Sequence, residues 1–318
     1  MSGVTGDRVE IMEVGPREGF QFEKRQLPTD GKAAVIDALA RTGVTEIQAV
    51  SFVSRRTMPH LADSDRVMEL IDPRPGVTYS GLWFSPGSFA RAAGSANLTL
   101  TGIVTLSASP EFTRANWETD DEGFLDLNRR LLAEYAQRGL PVKLNIAAAF
   151  GCNFGGPVAL DHVLELVATA HAAAADAGLP IAEIALADTM AWANPQQIRT
   201  VCAAVGAAYP DTPIRLHLHD TRGVGIANAL AALEAGVRRF DAAIAGLGGC
   251  PFAGHTGAAG NIATEDFFYL CESLGVATGL DADALLAASA LAESVVGHDG
   301  TSRTLRGGFA PLRNRHQP

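Results

Sequence analysis

The sequence predicts an α/β protein, a (β/α)8 barrel, and three observations carry that reading. Short apolar strand-like runs alternate eight times with runs of helical period, glycine or proline marks the joints, and 318 residues suit one barrel with a modest addition. Composition agrees, because 47% hydrophobic and 19% charged residues supply a large core.

The elements follow in order. "RVEIMEV" (8–14) is a strand and "DGKAAVIDALARTG" (30–43) its helix; "VTEIQAVSF" (44–52) precedes "HLADSDRVMELI" (60–71). "VTYSGLW" (77–83) leads to a short helical piece, and "ANLTLTGIVTLSA" (96–108) to the helix of 120–139. "PVKLNIAAAF" (141–150) leads to the helix of 158–178, and "IAEIALADT" (181–189) to that of 194–210. "PIRLHLH" (213–219) leads to 225–236, and "VRRFDAAIAGLGG" (237–249) to 264–275. Parallel βαβ units are the economical solution for this alternation, and eight of them close. An open doubly wound sheet is the alternative, weakened because no G-x-G-x-x-G follows the first strand. The expected division is a catalytic barrel over 1–280 and a C-terminal helical extension with a tail over 281–318.

Other bounds are exclusions. A net charge of −10 without a basic run argues against nucleic acid and anionic membranes. No uncharged apolar run reaches membrane-spanning length, and the first residues lack a signal-peptide pattern. Four cysteines without a C-x-x-C pair argue against a disulfide or zinc framework, so a reducing cytoplasm is expected. A homodimer is the expected assembly.

Barrel chemistry sits at the C-terminal strand ends. There strand 1 offers Arg17, Glu18 and Gln21, strand 2 Gln48 and Ser51, strand 6 Asp188 and Thr189, and strand 7 "HLHD". His217 and His219, two apart on a strand, share a face. With a carboxylate from Glu18 and an amide oxygen from Asn261 they would make a divalent metal site suited to Mg²⁺ or Mn²⁺. The bland reading is two hydrogen-bonded histidines lining a polar barrel top. Strand 8 runs into "GLGGCPFAGHTGAAGN" (246–261), whose six glycines present Cys250, His255 and Asn261 on flexible backbone and would close over the mouth. Taken alone, Cys250 reads as an unreactive thiol.

Several ordered stretches resemble the 3-hydroxy-3-methylglutaryl-CoA lyase family. They are "VGPREGFQFEK", "AVSFVS", "HLHDTRGVGIANALAALEAG", "AGLGGCPFA" and "GNIATED", and the likeness runs from about Val9 to Gly279. The resemblance implies a metal-dependent lyase that cleaves a 3-hydroxyacyl-CoA by retro-aldol chemistry to an acyl-CoA and a keto acid. It implies His217, His219 and Asn261 as metal ligands, with Glu18 at the position of the family's aspartate. Arg17 would stabilise an enolate oxygen, Cys250 would take part in proton transfer, and Lys24 would lie near the acyl group. Arg55 and Arg56, an ordinary solvated pair by themselves, could meet a coenzyme A phosphate.

The sequence departs from the family at three places. Glu18 is one methylene longer than aspartate, Gln48 replaces a glutamate and cannot relay a proton, and the loop between Cys250 and Asn261 is longer and adds His255. His255 is therefore expected to share proton transfer with Cys250, against the plainer reading of an exposed loop histidine. An aldol- or Claisen-type condensing enzyme and a non-catalytic ligand-binding barrel are the alternative functions.

Overall fold

The computed structural model describes residues 8–53, 58–249 and 259–309. The apolar runs become eight strands of one sheet: β1 (Glu10–Glu13), β2 (Glu46–Ser51), β3 (Thr78–Leu82), β4 (Gly102–Ser107), β5 (Val142–Ala147), β6 (Ile181–Asp188), β7 (Ile214–Leu218) and β8 (Arg239–Ala242). All pairings are parallel, in the order β3-β2-β1-β8-β7-β6-β5-β4. First and last strands are thus neighbours, and the sheet curls. Lys143 on β5 reaches Glu46 on β2 at 2.6 Å, although those strands lie far apart in the order. At the β3/β4 seam the Thr99 N–H donates to the Tyr79 carbonyl at 2.8 Å.

Among the described residues, eight helices lie between strands in sequence, α1 (Thr29–Leu39), α2 (Ser64–Leu70), α3 (Pro86–Ala93), α4 (Pro110–Trp117), α5 (Asp121–Gln137), α6 (Leu160–Asp176), α7 (Pro195–Ala208) and α8 (Gly225–Glu234), and α9 (Thr264–Leu274) and α10 (Ala282–Val296) follow β8. Ser85, Ser109, Asp120 and Asn194 cap their helices by accepting a backbone N–H. α10 packs on α1. Between strands and helices sits the apolar core, with Leu216 and Leu218 of β7 fully buried on that side.

Two elements differ from expectation. α4 forms where none was expected, because Ser109 caps it and Pro110 fits the first helical position. Strand 8 is expected to run up to the glycine loop that begins at Gly246 but ends at Ala242, since Ala245 and Gly246 take left-handed φ values of 54° and 65°. No helix among the described residues is long and apolar enough to cross a membrane.

Candidate metal centre and active-site cavity

The alternation of β7 turns Leu216 and Leu218 toward the helices and Arg215, His217 and His219 toward the interior. The two imidazole Nε2 atoms lie 3.1 Å apart. Glu18 comes from a short π-turn, Gly15–Gly19, directly after β1. Its Oε1 lies 3.2 Å from His219 Nε2 and 3.5 Å from His217 Nε2. Bonds of about 2.1 Å to one divalent ion put neighbouring ligands about 3.0–3.4 Å apart, so these three donors have the right spacing. Three of the four expected ligands, Glu18 with its longer arm, His217 and His219, thus lie together.

Asn261 stands beside it. An antiparallel bridge pairs it with His219, and the side chain is 1% exposed with neither amide atom hydrogen-bonded among the described residues. A buried amide without partners among the described residues is open to a ligand. Gly248, at φ +120°, explains part of the glycine content here. A Cβ at Gly248 would sit 2.8 Å from Asn261 Nδ2, so only glycine lets the chain pass. Two imidazole nitrogens, a carboxylate oxygen and a free amide oxygen form a donor set that fits a divalent cation.

Charge around the triad is tightly paired. The Arg17 guanidinium meets Glu18 Oε2 at 2.8 Å through Nη2, and its Nε–H donates to Gln48 Oε1 at 2.5 Å. Burial opposes ionisation of Glu18, yet Arg17 and His217 hold its carboxyl well below the usual range. Burial likewise opposes charge on His217, but Glu18 and Asp241 push it up to about 10. The triad is thus a place where positive charge is strongly favoured.

Asp241, absent from the sequence expectations, faces His217 across the β7/β8 register, and its Oδ2 lies 3.1 Å from His217 Nδ1. The signal was available: Asp241 is two residues from Arg239 on a strand next to the H-x-H strand. Asp188 at the end of β6 turns Oδ1 to the Trp192 and Ala193 N–H groups, leaving Oδ2 buried without a partner among the described residues. Burial raises its carboxyl above the usual range.

A cavity opens from the triad into the curled sheet. Arg17, Glu18, Gln21 and Gln48 form one wall, and Leu82, Phe84, Ile103 and Trp117 an apolar one. Ala147, Ala185 and Ala187 leave the space between them open. Lys24 is exposed and is not among the lining residues. Cys152, at 0% exposure, packs with Phe112 and Met190. Cys250, His255, Arg55 and Arg56 lie outside the described residues.

Comparison with known proteins gives the same picture. A Gallus gallus mitochondrial hydroxymethylglutaryl-CoA lyase is 37% identical over 281 residues, 88% of this chain and 90% of its own length. A Chloroflexus aurantiacus (R)-citramalyl-CoA lyase is 37% identical over 292 residues, 89% of each. An Acinetobacter baumannii HMG-CoA lyase, solved in complex with coenzyme A and 3-methylmalate, matches 98% of both chains with a TM-score of 0.86 at 35% identity. The HMGL-like family model matches residues 8–292, and with relatives this similar over nearly their whole length the chain belongs to the HMGL-like family.

Proposed function

We propose that the protein is a metal-dependent carbon–carbon lyase that cleaves a 3-hydroxyacyl-CoA by retro-aldol chemistry, releasing an acyl-CoA and a keto acid. The observation that carries this reading is the Glu18–His217–His219 triangle with Arg17 beside it at the head of a cavity. Glu18, His217, His219 and Asn261 would hold Mg²⁺ or Mn²⁺, which supplies Lewis-acid polarisation of substrate oxygens. Arg17, with N–H groups beyond those given to Gln48 and Glu18, would bear on the thioester oxygen as negative charge develops there.

The bond chemistry follows. A base takes the C3 hydroxyl proton, the C2–C3 bond breaks, C3 becomes the carbonyl of the keto acid, and the electron pair forms a thioester enolate. Protonation at C2 then gives the acyl-CoA. Asp188, whose carboxyl is raised by burial, lies at the end of β6 outside the lining residues and alternates away from Ala185 and Ala187, so it has a supporting place behind the cavity wall and no contact with the hydroxyl. His217, with Nδ1 turned to Asp241 and Nε2 toward the ion, acts as ligand rather than base. Cys250 and His255 of the glycine loop would return the proton to C2, and closure of the loop would exclude water. Lys24, Arg55 and Arg56 would contact the coenzyme A moiety from the rim.

Further features belong to the same reading: a closed (β/α)8 barrel over residues 1–280, an appended segment over 281–318, a homodimer, and a cytoplasmic location. The test is a metal-supplemented assay with 3-hydroxy-3-methylglutaryl-CoA and citramalyl-CoA. Acetyl-CoA together with acetoacetate or pyruvate is the expected product; intact thioesters with both metals would defeat the proposal.

A further inference from the structure

Below the triad the interior of the sheet carries charge instead of the bulky aliphatic layers usual in such folds. Arg215, 3% exposed, is its centre. Its Nε donates to Glu183 Oε1 at 2.8 Å, its Nη2 to Glu46 Oε2 at 3.0 Å, and its Nη1 to Asp241 Oδ1 at 3.3 Å. Lys143 binds the other oxygen of Glu46 at 2.6 Å, and Arg239 the other oxygen of Glu183 at 3.1 Å. Three cations and three carboxylates from five strands leave little net charge. Burying such groups is a weak source of stability, because desolvation offsets most of the attraction. Apolar side chains would fill the space as well, so stability alone does not account for the layer.

The layer touches the candidate centre at one place. Asp241 Oδ1 accepts from Arg215 below, while Oδ2 accepts from His217 Nδ1 above at 3.1 Å. A carboxylate can only accept at that contact, so Nδ1 keeps its hydrogen, and Nε2, which faces His219 and Glu18, is the nitrogen whose lone pair becomes available when a cation displaces its proton. We propose that Asp241, anchored by Arg215, is a positioning residue that fixes the tautomer and ring direction of His217, and thereby sets the affinity of the Glu18–His217–His219 triad for a divalent cation. The proposal rests on the metal reading of that triad.

The geometry makes an unusual demand on substitutions. In Asp241→Asn the amide oxygen must face the Arg215 N–H, which turns the NH₂ group toward His217 Nδ1. His217 then accepts at Nδ1 and carries its hydrogen on Nε2, pointing it into the metal position. In Asp241→Ala the space admits water, which can still accept from Nδ1. The isosteric change therefore harms metal binding more than the truncation does, the reverse of what a packing role gives.

The experiment is calorimetric titration of the metal-free protein with MnCl₂ alone, on wild type, Asp241→Asn and Asp241→Ala. Circular dichroism and thermal melting confirm that each is folded, and the ¹⁵N shifts of labelled histidine report which His217 nitrogen is protonated. The expected loss is about 10- to 100-fold for Asp241→Asn, with a smaller loss for Asp241→Ala, and Nδ1 of His217 losing its hydrogen in the asparagine variant. Wild-type affinity in folded Asp241→Asn, or Ala weaker than Asn with unchanged ¹⁵N shifts, overturns the proposal. A wild type that binds no Mn²⁺ would instead remove the metal reading, while the nitrogen shifts still decide whether Asp241 fixes the tautomer.

Discussion

Gln48 Oε1 accepts the Arg17 Nε–H at 2.5 Å, so a neutral amide on β2 sets the direction of the cation beside the triad. A glutamate there would also accept, but it would place a second carboxylate against a guanidinium already paired with Glu18. The exchange of carboxylate for amide leaves more of the positive field of Arg17 directed at the cavity. Gln48 therefore holds Arg17 in place, which an amide can do, rather than moving protons, which it cannot.

Substitution at Gln48 is expected to follow that logic. Gln48→Leu leaves the Nε–H without its acceptor and lets Arg17 turn, so kcat/KM should fall about tenfold or more. Gln48→Glu keeps the acceptor and should fall less. Steady-state kinetics of both variants check the order, and equal losses would remove the positioning role.

Arg17→Lys should be worse than either. An ammonium is a single point donor that cannot engage Gln48 and Glu18 in the guanidinium's geometry while also facing substrate. Loss of one such donor to a developing oxyanion costs about 10²–10³ in kcat. The expected result is that loss in kcat with an unchanged melting temperature. Near-wild-type turnover would show that Arg17 lies outside the chemistry.

Metal binding should be visible without any substrate. A ligand that binds only the folded state at about 100 times its Kd adds about 2.7 kcal/mol, which raises the melting temperature by several degrees. Saturating Mn²⁺ or Mg²⁺ should produce that rise in wild type, and EDTA should reverse it. Glu18→Gln and His219→Ala each remove one corner of the triangle and should abolish the rise. A shift that survives both changes would place the ion elsewhere.

The alternation of β7 made His217 and His219 legible as a pair, because a two-residue strand period fixes their face whatever else the fold does. The eight strand–helix units were legible for the same reason. Glu18 and Asn261 were legible as candidates because a barrel gathers its C-terminal strand ends at one mouth, and the family resemblance then matched them to ligand positions. Asp241 was missed because its meaning depends on register: it matters only once β8 is placed against β7 with Asp241 opposite His217. Arg215, Glu46, Glu183 and Lys143 were missed likewise. Each looks like a solvated charge in its own strand, and only the curl of the sheet turns them inward together.

Glu13 gives a prediction about pH. It is 1% exposed at the end of β1 and accepts the Gly15 and Ile244 N–H groups on Oε1, both at 2.8 Å, and the Thr264 hydroxyl on Oε2 at 2.6 Å. It thus ties β1, the segment after β8 and the start of α9 together beneath the turn that carries Glu18. Burial outweighs these donors and raises its carboxyl from 4.5 to about 8. Between those values the folded protein holds a proton that the unfolded chain has released. The stabilisation is complete below pH 4.5 and disappears as pH rises through 8, because proton release then favours unfolding. Glutamine at this position is neutral at every pH. Its Oε1 can accept both N–H groups, and its NH₂ can donate to the Thr264 oxygen. Other buried carboxyls titrate in both proteins, so the difference between them isolates Glu13. Glu13→Gln should match wild type near pH 5 and gain on it progressively toward pH 8 and above, by several degrees in melting temperature. Parallel curves across that range would mean that Glu13 is already ionised in the folded protein, held so by its three donors.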